Sequence, residues 1–95
     1  MMEPNEPEGE HEHALISRYI VTDRNGRGPD EASLARYGVS VWALVAYLTA
    51  NKLDPAQVAA DYDLPEDAVE AALAYYRCHK EIIDARILLN QIAFT

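Results

Sequence analysis

The chain is poor in the residues that would have announced a chemistry. Its single cysteine, Cys78, excludes an internal disulfide and fits a reducing, cytoplasmic setting. Only four glycines are present, and Gly26-Arg27-Gly28 does not sit between a strand and a helix, so no phosphate-cradling loop is expected. Basic residues are scarce, 8 against 16 acids for a formal charge of −8, which argues against plain electrostatic attraction to nucleic acid or to an anionic membrane. No apolar run approaches the length of a membrane span, and the N-terminal residues lack the basic and apolar regions of a signal peptide.

The distribution of charge is more informative than its sum. Residues 1–13 carry Glu3, Glu6, Glu8, Glu10 and Glu12 and no Lys or Arg; with Pro4, Pro7 and Gly9 they read as a disordered acidic tail. Residues 14–52 are mildly basic, with Arg18, Arg24, Arg27 and Arg36, and residues 53–95 are acidic again. In this 95-residue chain the remainder, 14–95, is one small domain whose core is marginal alone, so association with a partner is expected.

Within 14–39 a hairpin is expected. Ile16, Tyr19, Ile20 and Val21 are β-branched or aromatic and predict a strand over 15–21, the run Asp23 to Pro29 is turn-rich, and Ala32 to Val39 supplies the return. Residues 40–95 read as helical. Val41, Leu44, Val45 and Leu48 recur at helical spacing and predict a helix over 40–51 with Ser40 as its N-cap. Asp54-Pro55-Ala56-Gln57 opens a second helix, with Gln57 placed to complete a capping box, and Leu64-Pro65 turns the chain into a third. From Pro55 to Ala74 the spacing is that of a helix-turn-helix. The predicted fold is therefore mainly α: a helix-turn-helix core with a short N-terminal β-hairpin and an extended C-terminal helix.

A DNA-reading role for the second motif helix meets an obstacle in Glu66, Asp67 and Glu70, which complement the helix dipole but repel phosphates. If DNA is bound, Arg18, Arg24, Arg27 and Arg36 are the expected contacts, with ordinary surface solubility as the competing explanation. Beyond His79, Ile82, Ile83, Ile87, Leu88, Leu89 and Ile92 are too many to hide on one stripe, so Ile82, Leu88, Leu89 and Ile92 are candidates for a protein interface. Tyr75 joins them, because Tyr76 is read as the inward tyrosine. Arg77, His79 and Lys80 form a small basic cluster, best explained by the Arg77/Glu81 and Lys80/Asp84 spacings of surface ion pairs. His11-Glu12-His13 lacks the ligands of a closed metal site, and Cys78 beside His79 is read as a structural cysteine rather than a nucleophile. No catalytic, cofactor or metal residue is expected.

The residues Ala32-Ser33-Leu34-Ala35-Arg36-Tyr37-Gly38-Val39-Ser40-Val41-Trp42 are similar to a segment of the type Ala-Arg-Ile-x-Gly-Thr-Arg-Ile-Pro-Val-Trp. Further on stand Leu53-Asp54-Pro55, Val58-Ala59, Asp61-Tyr62, Leu64-Pro65-Glu66-Asp67-Ala68-Val69, Ala71 to Tyr76, His79 and Glu81 to Asp84. On these motifs the stretch 32–90, roughly two thirds of the chain, resembles the bacterial family called domain of unknown function 433. Arg36-Tyr37-Gly38 stands where that family has Gly-Thr-Arg, and Ser40 where it has proline. The resemblance implies a homeodomain-like three-helix core, an antitoxin of a toxin–antitoxin pair, a homodimer pairing through its hairpin, and a nuclease-like toxin of the PIN-domain type as partner. The alternative is a helix-turn-helix transcriptional regulator that binds DNA directly.

Overall fold

A computed structural model of the chain describes residues 7–22 and 28–93. The protein is mainly helical, with a small two-stranded antiparallel sheet. Helix α1 (Pro7–Tyr19) leads into β1 (Ile20–Val21). A 3₁₀ turn (Pro29–Glu31) follows, then β2 (Ser33–Leu34), α2 (Val41–Asn51), α3 (Pro55–Tyr62), α4 (Glu66–Cys78) and α5 (Lys80–Ala93). In the sheet Ile20 pairs with Leu34 and Val21 with Ser33, so the two segments expected to form a hairpin do pair. The expected turn residues 23–27 lie outside the described residues, as do residues 1–6.

Two expectations are corrected at the N-terminal end. Residues 7–13, read as disordered, belong to a helix, and most of 15–21, read as strand, continues it as far as Tyr19. The reason is tertiary. Leu15 is buried while Ile16 and Tyr19 pack against the core, a set that falls along one helical face, and α1 lies against α4. Burying that face outweighs the β preference of the individual side chains. Glu12 adds an ion pair with Arg77 of α4 at 2.6 Å.

The other helices begin and end where local chemistry dictates. Helix α2 starts after Ser40, whose backbone is extended but whose side chain makes no capping bond; the Val41 amide is taken instead by the Ala32 carbonyl at 3.0 Å. Asp54 does cap α3, its carboxylate accepting from the Gln57 amide at 2.8 Å. The Gln57 side chain does not close the box and donates to Asp61. Both α2 and α3 end in the same device. Lys52 (φ 54°) and Asp63 (φ 57°) adopt left-handed backbone, and the next amide reaches back, from Leu53 to the Leu48 carbonyl at 3.0 Å and from Leu64 to that of Ala59 at 2.8 Å. This is the Schellman closure, here without the glycine that usually carries it.

The core centres on α4, which packs on α1, α2, α3 and the strands. Ala68, Ala71, Ala72 and Ala74 are fully buried; their small side chains leave room for neighbours on several sides. Leu34, Val41, Leu44, Val58, Val69 and Ile83 are the largest side chains wholly removed from water. At about 1.5–3 kcal/mol for each such side chain, this cluster dominates the favourable side of folding. Arg86 ties α5 to the 3₁₀ turn: its guanidinium donates to Asp30 at 3.2 Å and to Glu31, and lies 5.1 Å from the Trp42 ring centroid. Those carboxylates hold its pKa above the ordinary arginine value, Glu31 contributing most.

Candidate functional site

Two surfaces stand out. The first is the outward side of α5. Ile83 faces the core and is fully buried, and Ile87 packs beside it. At 100° per residue, Ile82, Leu88, Leu89 and Ile92 spread over about 120° on the opposite side. Their exposure runs from 42% to 62%. Leu88 also reaches an apolar groove of about 260 Å³ between α2 and α5, bordered by Val45, Ala46, Tyr76 and Ile87. Of the five residues expected at a protein interface, four therefore share one exposed face.

Tyr75 is the fifth, and it is corrected. It is 3% exposed, and its hydroxyl donates to the Pro29 carbonyl at 2.9 Å. Burial, with Asp30 nearby, raises its pKa. Ala74 is likewise buried. The neighbouring Tyr76 is the half-exposed one; its hydroxyl donates to Asp84 at 2.7 Å, and that bond is the first cause of its raised pKa. The reversal follows from the 3₁₀ turn, which Tyr75 reaches through Pro29 on a side of α4 away from the main stripe. A helix with neighbours on more than one side buries a wider arc than its single strongest apolar stripe indicates.

The second surface is a cleft of about 220 Å³ lined by Arg18 and Tyr19 at the end of α1 and by Ala35, Arg36 and Tyr37 in the turn after β2. The ladder brings them together, because the Ala35 amide donates to the Tyr19 carbonyl at 2.8 Å. The turn is closed by the Tyr37 and Gly38 amides, both donating to the Leu34 carbonyl. Gly38 takes φ +67°, a conformation a side chain would strain. Arg36 and Tyr37 are consequently held outward, and both are exposed. Arg18 and Arg36 are two of the four arginines expected to contact nucleic acid; Arg24 and Arg27 lie outside the described residues. Tyr37 was legible in the sequence only as a departure from a family motif. An aromatic residue just before a turn glycine was the available signal.

The rest of the expected chemistry is local. Glu66, Asp67 and Glu70 are exposed on the first turns of α4. His79 breaks the helical stretch, separates α4 from α5 and stacks on Tyr75 with ring centroids 4.4 Å apart. Lys80 pairs with Asp84 at 2.9 Å as its spacing predicts, whereas Arg77 takes Glu12 of α1. The Lys80 bond, then that of Tyr76, lowers the Asp84 pKa, and the same pair raises that of Lys80. Cys78, expected as a buried or half-buried structural cysteine, is exposed at this junction. Among the described residues no group of three or more His, Cys, Asp and Glu is placed to hold a metal, and no helix is long and apolar enough to cross a membrane. No protein-family model, curated protein or solved structure matches this chain.

Proposed function

We propose that this chain is an antitoxin-like binding protein of a toxin–antitoxin pair, working in the cytoplasm by protein–protein contact rather than by catalysis. The observation that carries the reading is the outward face of α5, where four large aliphatic side chains stay in water. Such a patch costs solubility unless a partner covers it. In this reading α2, α3 and α4 form a homeodomain-like helix-turn-helix core that serves as scaffold, and its acidic α4 is not used to read DNA. The short sheet pairs two copies as a homodimer, and α5 presents Ile82, Leu88, Leu89 and Ile92 to a PIN-like nuclease toxin. The residue similarities in 32–90 support the same role.

The test is co-expression of the tagged protein with the product of the adjacent open reading frame, followed by capture at low and at high salt. A stoichiometric complex that survives high salt is expected, since apolar burial is little screened by ions. Absence of that complex together with salt-sensitive retention of duplex DNA would instead support the transcriptional-regulator reading.

A further inference from the structure

The cleft at the end of the sheet carries an inference independent of the toxin. Every basic residue of 53–95 has a carboxylate partner: Arg77 holds Glu12, Lys80 holds Asp84, and Arg86 holds Asp30 and Glu31. Among the described residues, Arg18, Arg36 and the isolated Lys52 hold none, although acids outnumber bases two to one in the chain. Arg18 and Arg36 line one cleft, from opposite sides of the ladder. The cleft also contains two tyrosines. Tyr19 lies under the Arg18 guanidinium, 5.5 Å from ring centroid to carbon, and Tyr37 is 39% exposed, high for an aromatic side chain.

Two unpaired guanidiniums beside aromatic rings are the donor set for a phosphate joined to a base. We infer that this cleft binds a nucleotide unit, its phosphate held between Arg18 and Arg36 and its base against Tyr37. The net negative charge of the chain does not forbid it. At physiological ionic strength the Debye length is about 8 Å, so cations at contact distance outweigh carboxylates elsewhere on the surface. An unstacked base can come from a free nucleotide or from a single strand, and duplex DNA offers no such base.

Titration of the full-length protein with inorganic phosphate, AMP, a single-stranded deoxythymidine decamer and a duplex of equal length tests this. AMP should bind more tightly than inorganic phosphate. The Arg18→Gln/Arg36→Gln double variant should weaken AMP binding at least tenfold, and Tyr37→Ala at least fivefold while leaving phosphate unchanged. All three side chains are exposed, so unaltered circular dichroism is expected. Movement of the backbone-amide resonances of residues 35–38 on adding AMP to the unmutated protein gives a readout that needs no variant. A decamer bound well above AMP assigns the site to single strands, and equal binding assigns it to free nucleotides. The inference is overturned by phosphate binding as tightly as AMP, by a duplex binding as tightly as the strand, by affinity unchanged in the double variant, or by no binding at low salt.

Discussion

Helices α4 and α5 follow each other with only His79 between them, have nearly the same length, and use their apolar residues in opposite ways. Helix α4 is rich in alanine, yet Ala68, Val69, Ala71, Ala72, Ala74 and Tyr75 are all buried, because α1, α2, α3 and the strands surround it. Helix α5 has larger aliphatic residues and leaves most of them outside; Ile83 alone of its large residues is wholly buried. Composition therefore predicts burial poorly, and the number of packed neighbours decides it. A helix with one packed side can afford only one apolar stripe, and whatever exceeds that stripe is surface available to another protein.

The contrast is sharpest within α5 itself. Ile83→Ala should cost about 2–5 kcal/mol, the range for emptying a packed site, whereas Leu89→Ala should stay within about 0.5 kcal/mol, both read as urea-unfolding free energies of the isolated chain. Equal losses would mean that the outward face is packed after all. Removing the tie between α5 and the 3₁₀ turn with Arg86→Met should cost about 1–3 kcal/mol, because the guanidinium hydrogen bonds to Asp30 and Glu31 are charged and partly sheltered. A loss below a few tenths would show that the other contacts of α5, with Ile83 and Ile87 on the core and Asp84 on Tyr76, seat it without the guanidinium.

Smaller effects probe α4 and the caps. Tyr75→Phe should lower stability by about 1 kcal/mol through the lost bond to Pro29. An unchanged midpoint would mean that water replaces the hydroxyl. Lys52→Gly should instead raise stability by about 0.5–1 kcal/mol by relieving left-handed strain at the end of α2. The Asp84 pair supplies a pH signature. Its carboxyl is held below the ordinary value near 3.8, so its contribution is present above that pH and fades as pH falls through the lower folded value. The difference in melting temperature between the natural chain and Asp84→Asn should therefore vanish in acid. A difference that persists at low pH would trace to the amide rather than to the charge.

How much of this was legible in the sequence depended on how local the cause was. Val41, Leu44, Val45 and Leu48 place α2 to within a residue, and Asp54-Pro55 and Leu64-Pro65 locate the start of α3 and the turn into α4, because caps and prolines act on their own neighbours. Helix α1 was not legible. Its glutamates suggest disorder and its β-branched residues a strand, and only the face it buries on α4, a partner distant in sequence, makes it helical. The same omission sent Arg77 to Glu12 instead of Glu81, and another partner distant in sequence, Pro29, reversed Tyr75 and Tyr76. In the candidate sites, excess apolar residues on α5 were countable from the sequence. The meeting of Arg18 with Arg36 and Tyr37 was not, since it depends on the register of a two-residue ladder.

Whether α5 binds a partner through its outward face is decided by replacing Leu88, Leu89 and Ile92 together by serine and repeating the capture of the adjacent reading frame's product at high salt. The natural chain should hold its partner stoichiometrically, and the triple variant should melt normally and hold none. A triple variant that folds and still retains the partner in full would contradict partner binding by that face.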